Sequence, residues 1–80
     1  MRWHVYILQC ADKSLYTGIT NDLDRRFAAH KAGKGSKFVR SRKAKKIVHS
    51  EKFNSRSKAL KREHELKGLS RQEKLKLIKK

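Results

Sequence analysis

Tyr16-Thr17-Gly18-Ile19-Thr20-Asn21-Asp22-Leu23-Asp24-Arg25-Arg26-Phe27-Ala28-Ala29-His30 is the stretch that decides the fold. It reads as the end of a strand running directly into a helix. Leu15, Thr17 and Ile19 alternate with Tyr16, Gly18 and Thr20, which is the period of a strand. Asn21 can cap a helix, and Asp22 and Asp24 then fall in the first turn, where the positive end of the helix favours acids. Gly33 or Gly35 can end it. On that helix Arg26 and His30 are four apart and lie on one face. At about 100° per residue, Leu23, Phe27, His30 and Arg26 share one arc, and Arg25 points the opposite way. The spacing therefore predicts that one of two adjacent arginines is steered toward the interior beside a histidine, at the end of a strand that begins with a tyrosine.

Before this stretch, Trp3 to Cys10 is β-branched and aromatic. Trp3, Val5 and Ile7 lie on one face, Tyr6 and Leu8 on the other. A strand apolar on both sides is expected at the centre of a sheet. Ala11 to Ser14 reads as a turn, so the two strands form a hairpin. Side chains alternate with period two, so Tyr6 and Tyr16 share a face only for one hairpin parity. A site containing both tyrosines requires Cys10 opposite Tyr16, or a bulge near residues 11–14.

After it, Lys31 to Lys46 holds eight basic residues and no acid: Lys31, Lys34, Lys37, Arg40, Arg42, Lys43, Lys45 and Lys46. It reads as a helix end followed by a partly flexible basic loop suited to phosphate contact. Lys46 to Phe53 is a third short strand whose partner is left open. Asn54 or Ser55 opens a second helix that stops before Gly68. Ala59, Leu60 and Leu66 form its apolar stripe. Glu63 falls within that stripe and Glu65 points away. A carboxylate there needs a partner or a metal, and Lys67, four residues on, is the alternative partner. Ser70-Arg71-Gln72-Glu73 is a capping box for a last short helix anchored by Leu75 and Ile78, with help from Leu69 and Leu77.

Composition bounds the function. Eighty residues make one small domain. Twenty-three lysines and arginines against seven acids give a net charge of +16. Such a surface calls for a polyanion, most often nucleic acid. The single cysteine, Cys10, excludes an intrachain disulfide framework or cysteine zinc cluster, fits a cytoplasmic location, and reads as a small core residue. The apolar run Val5–Leu8 is too short for a signal peptide, and no segment reaches membrane-spanning length. There is no G-x-S-x-G, no H-E-x-x-H and no zinc spacing among the four histidines. Two tyrosines, an inward arginine, a histidine and an inward glutamate remain, and these types suit phosphodiester hydrolysis. A metal activates water and screens the phosphate. Arginine stabilises the developing charge, and a phenol or imidazole moves the proton.

Tyr6 in His4-Val5-Tyr6, Tyr16-Thr17-Gly18, Arg26 ten residues later, His30 and Glu63 occur in the order found in the GIY-YIG nuclease domain, which the chain resembles over nearly its whole length. It looks closest to the small stand-alone bacterial members. The resemblance implies an α/β fold with a small central three-stranded antiparallel sheet flanked by helices, and one-metal hydrolysis of DNA. It implies that Tyr6 and Tyr16 orient or deprotonate the attacking water and that Arg26 holds the scissile phosphate. It further implies that His30 assists proton transfer or substrate positioning and that Glu63 binds Mg²⁺ or Mn²⁺, hard cations that suit one carboxylate plus waters and phosphate. His4, Val5 and Thr17 depart from the family's motifs at scaffold positions. Relatives usually carry a targeting domain that does not fit in 80 residues, so low sequence specificity, or targeting supplied by a partner protein, is expected. A non-catalytic nucleic-acid-binding module on the same scaffold, for DNA or RNA, is the second reading.

Overall fold

In the computed structural model, which describes residues 2–78, three strands form one antiparallel sheet in the order β2-β1-β3. The strands are β1 (Trp3–Cys10), β2 (Leu15–Thr20) and β3 (Ala44–Phe53). The helices are α1 (Leu23–Lys31), α2 (Lys37–Arg42), α3 (Arg56–Lys67) and α4 (Arg71–Ile78). β1 is central, as its two apolar faces require, and it is the partner of β3. On one face Tyr6, Leu8 and Cys10 pack with Val39, Ala44, Leu23, Phe27 and Ile47 under α1 and α2. On the other, Val5 and Ile7 pack with Ala59 and Leu66 of α3, joined by Leu69, Leu77 and Ile78. Burying side chains of this size stabilises a fold by about 1.5–3 kcal/mol each.

The hairpin has the parity that a shared tyrosine site needs, through a different pairing from the one expected. Tyr16 lies opposite Leu8, not Cys10, and Tyr6 lies opposite Gly18. The turn is tighter than the sequence suggests. The Lys13 amide donates to the Cys10 carbonyl and the Cys10 amide donates to the Ser14 carbonyl, both at 2.9 Å. Lys13 takes the left-handed conformation at φ +70° that closes a three-residue loop. Two irregularities in β3 then serve the core. The β1–β3 register shifts between Ile7 and Leu8, and again between Gln9 and Cys10. Each inserts a residue, so Ile47 joins Leu8 on one face while Val48 packs on the other.

Several expectations from sequence are corrected. The cap of α1 is Asp22, not Asn21: its carboxylate accepts from the Arg25 amide at 3.1 Å, and its own amide donates to Thr20 Oγ1. The basic segment is not simply a loop. Ser36 caps α2, and Val39 is completely buried. Six residues are too few for an independent helix, so Val39 in the core holds α2, and β3 starts two residues earlier than expected. Leu60 is exposed rather than core, because the α3 stripe runs through Ala59 and Leu66. On α4, Leu77 and Ile78 pack on the core while Leu75 does not join that cluster. The Ser70–Glu73 capping box is present, with the Ser70 amide donating to Glu73 at 2.8 Å.

Candidate active site

Tyr6, on the central strand, is 2 % exposed, and His30, in the last turn of α1, is 3 % exposed. Their side chains meet: Tyr6 Oη and His30 Nε2 are 2.9 Å apart. Tyr16 joins them from β2, its ring centroid 6.3 Å from Tyr6 and 5.5 Å from His30. Phe38 of α2 lies 5.9 Å from Tyr16 on the outer side. Two glycines make this packing possible. A β-carbon on Gly18 would stand 2.6 Å from the Tyr6 hydroxyl, so the strand opposite Tyr6 must be bare. A β-carbon on Gly35 would overlap the His30 ring at Nδ1. His30 Nδ1 is buried with no hydrogen-bond partner. The chain reaches Gly35 through a tight helix end: Gly33 is left-handed at φ +77°, and the Gly33 and Lys34 amides donate to the His30 and Ala29 carbonyls. Sequence reading assigned Gly35 only to helix termination. Its place beside His30 leaves no signal in one sequence, since both residues fit many other arrangements.

Arg26 does not enter the interior. It is exposed, because Leu23, Phe27 and His30 fill the buried stripe and Arg26 stands at its margin. It lines an open cleft of about 340 Å³ with Arg25, Thr20 and Asp22. Its charge still reaches the tyrosine–histidine pair. Burial pushes the Tyr6 phenol well above its ordinary range; Tyr16 adds to that rise, Arg26 opposes it, and Glu63 raises it again. Burial lowers the His30 pKa, and Arg26 lowers it further. Burial thus favours the neutral form of both groups.

Glu63 comes from α3, the layer on the opposite face of the sheet. Its side chain is only 17 % exposed, and Oε2 lies 3.4 Å from Lys67 Nζ. The Lys67 partner expected as the alternative is therefore present, alongside the electrostatic reach to Tyr6. The rotation of α3 is fixed by the neighbouring residue. Arg62 grips Glu51 of β3 with two bonds, Nε to Oε1 at 2.9 Å and Nη2 to Oε2 at 3.1 Å, and His49 Nε2 lies 2.8 Å from the same carboxylate. Glu65 faces water at 53 % exposure, as expected. Among the described residues no three His, Cys, Asp or Glu side chains form a metal cage. The donor set is one half-buried carboxylate, which fits a hard divalent cation that keeps several waters and takes a phosphate oxygen.

The basic segment is brought partly together. Lys31, Arg40 and Lys43 line a cleft of about 430 Å³ beside His30. Lys43 is left-handed at φ +62° there, held by its amide bond to the Val39 carbonyl and by its carbonyl bond to the Ala11 amide. Arg42 is committed elsewhere, stacked 4.0 Å over Phe38 and 3.4 Å from Asp12. Lys34, Lys37, Lys45 and Lys46 are exposed outside that cleft.

Residues 2–76 match the family model of the GIY-YIG catalytic domain. The chain belongs to the GIY-YIG family. Among curated relatives, a UPF0213 protein of Natronomonas pharaonis is 51 % identical over 75 residues, covering 94 % of this chain and 88 % of the relative. A UPF0213 protein of Staphylococcus haemolyticus is 48 % identical, covering 94 % and 92 %. The solution NMR structure of a UPF0213 protein from Bacillus halodurans is 44 % identical with a TM-score of 0.63, over 99 % of this chain and 84 % of that one. The solution NMR structure of a protein from E. faecalis is 36 % identical with a TM-score of 0.65 and the same coverage. This GIY-YIG chain thus has the tyrosine-bearing hairpin, the arginine–histidine helix and the glutamate helix of the reading from sequence. No helix among its described residues is long and apolar enough to cross a membrane.

The neutral, buried state of His30 has a measurable cost. In the unfolded chain it titrates near its ordinary value of about 6.5. Because its pKa is lower when folded, the unfolded state gains a proton first as pH falls. Its contribution is complete above about pH 6.5 and is lost as pH falls through the folded value, at up to about 1.4 kcal/mol per pH unit. The urea midpoint should fall between about pH 7 and pH 5, and His30→Gln should flatten that fall. Burial disfavours ionised Glu51, but hydrogen bonds from Arg62 and His49 outweigh it, so Glu51 acts only at lower pH. An equally steep fall in the variant would place the titrating group elsewhere.

Proposed function

We propose that this protein is a divalent-metal-dependent endonuclease that hydrolyses DNA phosphodiester bonds with low sequence specificity. The observation that supports this reading is the buried Tyr6–His30 hydrogen bond, with Tyr6 within electrostatic reach of both Arg26 and Glu63. Glu63 would hold Mg²⁺ or Mn²⁺, which supplies water activation and screening of the phosphate. The rest is the work of the chain. Arg26, exposed at the rim, can offer paired N–H donors to a phosphate and neutralise charge as it develops. Tyr6 stays a neutral phenol and acts by orienting the attacking water. It can give up its proton only toward His30 Nε2, and His30 can accept it because burial and Arg26 keep it unprotonated. This role requires the tautomer protonated on Nδ1. Tyr16 closes the outer side of the pair. The Lys31–Arg40–Lys43 cleft suits a neighbouring phosphate, with Lys34, Lys37, Lys45 and Lys46 adding diffuse attraction and Arg42 less so because of its existing partners. A cytoplasmic setting and a partner protein that chooses the target fit this small basic chain.

The test joins cleavage to metal binding. Nicked, branched, single-stranded and duplex DNA are incubated with the protein, with and without Mn²⁺. Cleavage is expected only with metal. Mg²⁺ should shift the amide signals around Glu63, and Glu63→Gln should abolish both that response and cleavage. Glu65→Gln should preserve both. Equal loss in the two variants would reduce the metal to a diffuse counterion. Binding without cleavage under any divalent metal would favour the other reading, a non-catalytic nucleic-acid-binding module.

A further inference from the structure

At the end of the sheet where Trp3 pairs with Phe53 lies a third cleft, of about 380 Å³, that the proposed active site does not use. Arg2, Lys52, Phe53, Asn54 and Lys58 line it. Arg2, Lys52, Asn54 and Lys58 are exposed and Phe53 is half-buried, its ring forming an apolar wall. Among the described residues, Arg2, Lys52 and Lys58 make no ion pair and no side-chain hydrogen bond. The local sequence makes this arrangement costly. Ser55 caps α3, whose first turn carries Arg56 and Lys58 and no acid. Cations at the positive end of a helix are disfavoured, and an anion seated among them relieves the repulsion. Arg56 is partly occupied, 5.7 Å over the Trp3 ring. Lys52, Lys58 and Arg2 face the cleft with nothing to neutralise them.

Three free cations, an aromatic wall and an amide in one small cleft match the chemistry of a nucleotide. Phosphate takes the cations, a base stacks on the ring, and the amide can pair with a base edge. A base inside a duplex has both faces covered by its neighbours, so only an unpaired one can lie on Phe53. The cleft belongs to the α3 side of the sheet, since Trp3 and Phe53 pack with Val5 and Ile7 and Lys58 lies on α3. Lys43 and Arg40 stand at the Cys10–Ala44 end of the sheet and this cleft at the Trp3–Phe53 end. Seven strand steps separate Trp3 from Cys10, about 23 Å at about 3.3 Å per residue.

We propose that this cleft binds an unpaired nucleotide of a nucleic-acid strand, with its base against Phe53 and its phosphates among Arg2, Lys52 and Lys58. The inference rests on the nucleic-acid reading above but not on cleavage. It specifies a substrate with an unpaired stretch that reaches the Trp3–Phe53 end of the sheet on its α3 side.

Trp3 is the chain's single tryptophan and sits beside the cleft, so its fluorescence reports occupancy without any cleavage. Titrations in metal-free buffer use a short oligothymidylate, an abasic phosphodiester strand of equal length, and a blunt duplex. The oligothymidylate should change Trp3 emission and bind more tightly than the abasic strand. Lys52→Ala with Lys58→Ala, both on exposed positions, should weaken it about tenfold or more. Phe53→Leu, which keeps an apolar side chain in the core, should weaken it about fivefold or more and leave the abasic strand unchanged. Equal binding of the abasic strand and oligothymidylate, or affinity unchanged in the double variant, would overturn the proposal. Cleavage without a Trp3 response would overturn it alone; a Trp3 response without cleavage would leave it standing while the nuclease reading failed.

Discussion

Arg26→Ala should reduce DNA cleavage by about 100- to 1000-fold while leaving DNA affinity within a few-fold of the parent chain. The size follows from removing a donor that acts on transition-state charge, about 2.7–4 kcal/mol. The control is its neighbour. Arg25 and Arg26 are both exposed and line the same cleft, so both add similarly to diffuse attraction for a polyanion. Only Arg26 reaches the functional pair, opposing the rise in the Tyr6 pKa and depressing that of His30. Arg25 supplies its backbone amide to the Asp22 cap. Arg25→Ala should therefore cost a few-fold at most in both cleavage and binding. Single-turnover cleavage and equilibrium binding, measured at one salt concentration, separate the two effects. Two variants that weaken binding equally, on a parent chain that never cuts, would leave only a binding module.

Gly35→Ala should damage stability and activity together. The added methyl would overlap the His30 ring, and the ring cannot move aside freely because Nε2 is held at Tyr6 and α1 is packed on the sheet. Overpacking of this kind costs about 1–3 kcal/mol. In a domain of this size each kcal/mol lowers Tm by about 4–8 °C. A displaced His30 also breaks the Tyr6 bond, so cleavage should fall well beyond what the lost stability explains. Gly68→Ala is the control. A β-carbon there meets nothing closer than 3.5 Å, and the residue already has an ordinary helical φ of −79°. That variant should keep the parent Tm and activity. Calorimetry and the His30 ring signals provide the readout. A Gly35→Ala protein with unchanged His30 signals would refute the packing described for this pair.

The local code of this chain is strong where one residue type has one use. Alternation in β1 declared a central strand because both faces are apolar, and the sheet buries both. The Ser70–Glu73 box, and Ser55 as one of the two caps offered with Asn54, marked helix starts that the structure contains. The ordered series Tyr6, Tyr16, Arg26, His30 and Glu63 was readable because each type carries chemistry that a neutral scaffold does not need. What the sequence by itself determined is thus every element but α2, the family and the polyanion-seeking charge.

The tertiary structure decided how these parts meet. The tyrosines share a face because a left-handed Lys13 closes the turn one way, and a lysine gives no sign of that conformation. Arg26 lies at the rim rather than inside because Phe27 and Leu23 compete better for the buried arc, and a long charged side chain gains by reaching water. α2 exists only because Val39 finds the pocket near Cys10 and Ala44, a contact between segments that periodicity cannot register. Gly35 becomes indispensable only once His30 lies against it. Spacing along one helix or strand is written in the chain, whereas contacts between elements depend on which side chain wins each buried position, and that competition is settled only when the whole sheet is covered.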